Sequence, residues 1–312
     1  MARPLFPALA VLALLAGPAA AVAADPAACR AVRLADIGWT DVAATTALTA
    51  LILKDLGYQP KIDVLTIPAT FQSMKDKQTD AFLGNWMPAM EAIRKPFLDD
   101  KSVEVLGPNL EGAKYTLAVP QYLYDAGLHD FADIAKFGKE LDWRIYGIEQ
   151  GNEGNRHVQA LIKADRDGLG KFQLMESSEQ GMLAEVAKAY RAKQPIVFLA
   201  WEPHPMNVMF KLDYLTGGDD TFGPNFGAAN VYTDIRAGYA DECPNVAALL
   251  RQEKFSLGAE DDMMNLIINR KLDPARAAAA WAHAHKDILR PWLDGVTTID
   301  GKPGWPAVQP RL

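Results

Sequence analysis

The chain carries two cysteines, Cys29 and Cys243, more than 200 residues apart. What they do depends on where the chain goes. Met1-Ala2-Arg3 brings one positive charge, Leu5 to Leu15 is apolar around Pro7, and Ala19–Ala24 is a run of small residues. This is the pattern of a secretory signal peptide over residues 1–24, with cleavage expected between Ala21 and Asp25. Its apolar core is too short to span a membrane. An exported chain meets an oxidising compartment, so a Cys29–Cys243 disulfide is expected. The alternative is a lipid anchor on Cys29. Against it, Pro26-Ala27-Ala28 lacks the usual leucine and the apolar core lies far upstream. A Cys29–Cys243 bond constrains the topology strongly. It returns the C-terminal segment to the lobe in which the mature chain begins.

Periodicity supplies the elements. Ala31–Ile37 alternates and reads as a strand, and Val42–Leu56 carries Leu48, Leu51, Ile52 and Leu56 on a helical stripe. Lys61–Ile67 is the next strand, Thr70–Asp80 a short helix, and Ala81–Leu83 a buried strand. Ser102–Leu106 and Lys114–Val119 read as two further strands. Phe131–Phe137 reads as helix, Trp143–Ile148 as strand, 157–165 as helix, Phe172–Met175 as strand, Gly181–Arg191 as helix and Ile196–Ala200 as strand. Thr216–Asn225 is a turn-rich loop, and helices are expected over Cys243–Leu250, Ser256–Ile268 and Pro274–Trp281. Alternating strands and helices imply α/β architecture with parallel pairs. A length of 312 residues implies two lobes. With the disulfide, the expected division is residues 25–112 with 208–312, and 113–207, facing each other across a hinged cleft.

The net charge is −7. That argues against nucleic acid as a partner, which favours a basic surface.

Two strands end alike. Ala81-Phe82-Leu83 runs through Gly84-Asn85 to Trp86, and Ile196–Ala200 runs to Trp201, each with a proline two residues later. Ligands of open α/β sheets bind at strand carboxyl ends. Trp39 follows the first strand, and Tyr115 lies at the first crossover. Four such rings from two lobes can form an aromatic box. A quaternary ammonium suits it, having no N–H to donate and a diffuse charge that π faces attract. Each ring can equally be a packing residue. Tyr115 inside KYTLAV can be an ordinary strand residue. Asp41, at a helix start, suits an N-cap, yet a carboxylate two residues from Trp39 also favours a cation there. Asn152, in Gly151-Asn152-Glu153-Gly154, suits a turn or N-cap and can also meet a hydroxyl. The GNEGN stretch lacks the GK[ST] or GxGxxG pattern of a phosphate cradle. Glu202 and His204 lack further ligands at metal spacing. No GxSxG and no nucleophile–base constellation occurs.

Taken together, GWTD (38–41), GNWMP (84–88), KYTLAVP (114–120), GNEGN (151–155) and AWEPHP (200–205) resemble the substrate-binding proteins of glycine betaine/choline ABC importers, on their choline-binding side. The resemblance covers essentially the whole mature chain. It implies a type II two-lobed periplasmic binding protein with a hinge, without catalytic activity, cofactor or metal. By resemblance, Trp39, Trp86, Tyr115 and Trp201 match the box around a trimethylammonium group. Asp41 matches the carboxylate facing the cation, Asn152 the residue holding the choline hydroxyl, and Cys29 and Cys243 a disulfide pair. The implied partners are choline, a membrane permease and its cytoplasmic ATPase. Betaine-binding relatives hold a ligand carboxylate with backbone N–H or basic groups, and His204 can serve as such a donor. A glycine betaine or carnitine binder is therefore the alternative. An exported choline-ester or choline-phosphate hydrolase would need a nucleophile–base pair or metal cluster that the sequence lacks.

Overall fold

A computed structural model describes residues 24–312. The signal peptide expected over residues 1–24 lies outside these but for Ala24. Among the described residues nine strands run in chain order: β1 Ala31–Asp36, β2 Gln59–Val64, β3 Ala81–Met87, β4 Val103–Pro120, β5 Arg144–Tyr146, β6 Gln173–Met175, β7 Phe198–Glu202, β8 Leu212–Tyr214 and β9 Ala228–Arg236. The longer helices are α1 Thr40–Asp55, α2 Ile67–Lys75, α3 Glu91–Asp99, α4 Glu153–Lys163, α5 Glu179–Ala192, α6 Pro244–Gln252, α7 Leu257–Ile268 and α8 Pro274–Ala284.

The strand order is β2-β1-β3-β9-β4-β7-β5-β6, with β8 also on β4. β1 is parallel to β2 and β3, and β5 is parallel to β6 and β7. Each lobe thus holds a parallel trio, joined through antiparallel strands. β4 belongs to both. Its Val103–Lys114 stretch pairs with β9 and its Lys114–Ala118 stretch pairs with β7. The two strands read from sequence over Ser102–Leu106 and Lys114–Val119 are one. Register shifts near Gly107 and Gly112, both at positive φ, bend it.

Three further differences have physical causes. First, β3 does not stop before Trp86. It runs through Gly84 and Asn85 with an irregular register against β9. Gly84 is needed there because α1 comes so close: a Cβ would stand 2.5 Å from Val42 Cγ2. Asn85 Nδ2 donates to Asp234 Oδ2 at 2.8 Å, tying β3 to β9. Second, β7 likewise includes Trp201 rather than ending before it. Third, β9 has no counterpart in the sequence reading. Its inner residues include Thr233, Asp234 and Arg236, all buried, and these polar residues hide the apolar pattern of a central strand. Arg236 Nε donates to Asp80 Oδ1 at 2.8 Å, and Arg33 Nε to Asp80 Oδ2 at 2.9 Å.

α1 is buried nearly all round, against the sheet on one side and α7 and α8 on the other. The C-terminal helices therefore cover the lobe in which the mature chain starts. The Cys29–Cys243 disulfide is formed, with Cα atoms 5.7 Å apart. It lies at the amino end of β1. Replacing both cysteines by serine is expected to cost about 2–4 kcal/mol. A lowered denaturant midpoint with unchanged far-ultraviolet circular dichroism would record it.

Candidate functional site

At the opposite end of β1, where the lobes meet, Trp39, Trp86, Tyr115, Ile148 and Trp201 line a small, tightly closed cavity. Each ring arrives by its own local device. Trp39 is the extended residue between β1 and α1, at the helix cap position. Trp86 is in β3, opposite Val231 of β9. Tyr115 of β4 and Trp201 of β7 stand directly opposite each other. Cross-strand partners share one face of the sheet, so the pairing delivers both rings to one wall. All four residues are buried, exposing 2–6 % of their surface.

The rings follow one another round the cavity. Centroids lie 6.3 Å apart for Trp86–Tyr115, 6.2 Å for Tyr115–Trp201 and 6.4 Å for Trp39–Trp201. A cation held between neighbouring rings can reach their faces within the roughly 6 Å of a cation–π contact.

Polar groups complete the site. Asp41 does not cap α1. Trp39 holds the cap position, and the Asp41 carboxylate turns instead to Trp86, whose Nε1 donates to Oδ2 at 2.9 Å. Asp41 Oδ1 is buried with no donor. Burial, and then the charge of Glu179, push the Asp41 carboxyl up to about 7. Asn152 does cap α4: its Oδ1 accepts from Asn155 N at 3.3 Å. The same oxygen accepts from the Tyr115 hydroxyl at 2.7 Å. That leaves the Asn152 amide NH₂, adjacent to Glu149, as its remaining polar group. All six residues proposed from sequence thus meet at one place.

Two carboxylates escaped the sequence reading. Glu149, three residues past β5, accepts from Trp39 Nε1 at 2.9 Å, and burial raises its pKa. Glu179, at the first position of α5, accepts from Thr40 N at 2.8 Å and from the Thr40 hydroxyl. A strand-end acid was a usable signal for Glu149. An acid in a helix's first turn is too common to have marked Glu179. Glu202 turns away to pair with Lys114 at 2.6 Å. His204 lies behind Trp201, ring centroids 5.1 Å apart. Among the described residues no group of three or more His, Cys, Asp or Glu could hold a metal.

Two hinged α/β lobes closing on a buried, acid-lined aromatic box define a solute-binding protein. The chain belongs to the family of substrate-binding domains of ABC-type glycine betaine transport systems, whose family model matches residues 30–284. It is 52% identical to an ABC-transporter choline-binding protein solved in complex with choline, covering 92% of this chain and 99% of that one at a TM-score of 0.90. Against that type of protein in an unliganded semi-closed conformation the identity is 52%, the coverage 91% and 99%, and the TM-score 0.84. A glycine betaine/carnitine transport binding protein of Listeria monocytogenes is 32% identical over 53% of this chain and 53% of its own length. That match spans about half of the Listeria protein.

Proposed function

We propose that the protein captures choline between its lobes and delivers it to an ABC importer, a membrane permease with a cytoplasmic ATPase. The observation that carries this reading is the box itself: four buried rings beside a carboxylate oxygen that no group among the described residues satisfies. The trimethylammonium group sits among Trp39, Trp86, Tyr115 and Trp201, with Asp41 facing the charge and Asn152 meeting the hydroxyl. At about 0.5–2 kcal/mol per ring, four rings supply on the order of 2–8 kcal/mol before association costs. Similarity to the choline complex over nearly its whole length supports the choice. The protein acts in the periplasm as a binding component without catalysis. Among the described residues no helix is long and apolar enough to cross a membrane.

The division expected from sequence is residues 25–112 with 208–312, and 113–207. The pairing of Leu212–Tyr214 with Ala118–Pro120, and of Thr216 with Asp130, favours a return crossing nearer Gly223 than residue 207. Glycine betaine or carnitine is the second reading, favoured by the family description and the Listeria relative. A competitive calorimetric titration with choline, acetylcholine and glycine betaine decides. Choline is expected to bind tightest. A clear preference for betaine overturns the choice, and no binding of any of the three overturns the box.

A further inference from the structure

Behind the box lies a buried network that the ligand-facing residues do not require. Glu179 of α5 exposes 1 % of its surface, and so does His204. Glu179 reaches across the cleft to the first turn of α1. Its Oε2 accepts from the Thr40 backbone N–H at 2.8 Å, and its Oε1 accepts from the Thr40 hydroxyl. The third donor is His204. The Met206 N–H donates to His204 Nδ1 at 3.0 Å, so Nδ1 carries no proton. The ring hydrogen is therefore on Nε2, which stands 3.2 Å from Glu179 Oε1 and donates to it.

These donors are not arbitrary. Thr40 sits between Trp39 and Asp41, at the start of a 16-residue helix. Its N–H is one of the unpaired first-turn amides that attract anions. His204 packs edge-on against Trp201. One backbone amide and one imidazole N–H thus converge beside the box, from both sides of the cleft. That is a donor set for a carboxylate, and a carboxylate of the chain itself already fills it.

We propose that Glu179 is a specificity-determining residue. Its side chain occupies the two donors, Thr40 N–H and His204 Nε2–H, that would receive a ligand carboxylate, so the pocket takes a quaternary ammonium alcohol and refuses a zwitterionic betaine. This rests on the box being a quaternary ammonium site. Refusal has two parts. The ligand carboxylate finds no free donor, and it meets the Glu179 charge with the Asp41 and Glu149 carboxylates nearby. A site whose polar groups are already matched discriminates strongly against a ligand that would need them.

The test compares wild type, Glu179→Ala and Glu179→Gln by calorimetry with choline and glycine betaine. It is paired with melting curves in sodium acetate against sodium chloride at equal ionic strength. The expected result is a selectivity for choline over betaine that falls at least about tenfold in Glu179→Ala. Acetate should raise the melting temperature of Glu179→Ala but not of wild type, by supplying the missing carboxylate. Glu179→Gln still accepts hydrogen bonds but loses the charge, so its selectivity should fall by a smaller factor. If choline and betaine weaken equally in both variants, Glu179 only holds the lobes together and the proposal fails. If Glu179→Ala does not fold, the selectivity of Glu179→Gln decides, and an unchanged ratio is the overturning result. Wild type binding neither ligand would sink the quaternary ammonium reading instead. The acetate arm would still report whether the donors accept an anion.

Discussion

Trp86→Ala is expected to weaken choline binding by about 100-fold or more, because it removes two things at once. One wall of the box goes, at about 0.5–2 kcal/mol or more for a desolvated ring. The side-chain hydrogen bond that Trp86 Nε1 donates to Asp41 Oδ2 also goes, and among the described residues no other side chain donates to that carboxylate. A buried carboxylate that loses its side-chain donor costs about 1–3 kcal/mol, more if charged, and takes up a proton more readily, which cancels its attraction for the cation. Trp86→Phe separates the two effects: it keeps a π face and loses the N–H, and a loss of roughly tenfold is expected, at 1.4 kcal/mol per decade. Calorimetry on both variants checks the ordering. Equal affinity of Trp86→Ala and wild type would remove Trp86 from the site.

Much of that arrangement was legible in the sequence, and the reasons differ by residue. Trp86 and Trp201 stood out because a buried strand, a tryptophan and a proline coincide twice. Tyr115 did not stand out. Its place comes from the β4–β7 register opposite Trp201, and register is a long-range property that no local window contains. For Asp41 the residues alone leave a cap and a cation-facing carboxylate both open, because capping is a local preference. The competing partner, Trp86, is 45 residues away. The same holds for the fold. β1, α1 and the later helices follow their own periodicity. β9 does not, because its buried Asp234 and Arg236 are matched by Asn85 and Asp80 from distant segments. Glu179 is the extreme case. It looks like an ordinary first-turn acid, and its meaning depends wholly on Thr40 and His204 arriving at its oxygens. What depended on neighbours in the chain could be read, and hydrogen-bond partners distant in the chain could not.

The same Asp41 predicts a pH dependence whose sign can be worked out. Burial and Glu179 hold its carboxyl at about 7 in the ligand-free protein, and the neighbouring Glu260, raised well above its usual range by burial, is coupled to it. A cation in the box favours the ionised carboxylate. Choline binding should therefore release up to one proton near neutrality. Affinity should rise toward tenfold per pH unit between about pH 5.5 and 7, and level off above. Asp41→Asn removes the titrating group. It should flatten the profile, weaken choline by about 10–100-fold at roughly pH 8, and match wild type near about pH 5.5, where the native carboxyl is already protonated. Betaine, which gains less from that charge, should lose less. Stability of the ligand-free protein runs the opposite way. Asp41 and Asp234 are raised to about 7 and Glu253 to about 8, all chiefly by burial. Between the ordinary carboxylate range and these values the folded state holds protons that the unfolded chain has released. Stability therefore falls as pH rises through that window, at about 1.4 kcal/mol per unit for each group. Choline relieves the Asp41 share, so its stabilising effect on the melting temperature should be larger at about pH 8 than at about pH 5.5. A choline affinity that stays constant across that range would remove Asp41 from the cation's surroundings. It would leave the four rings to hold the charge alone.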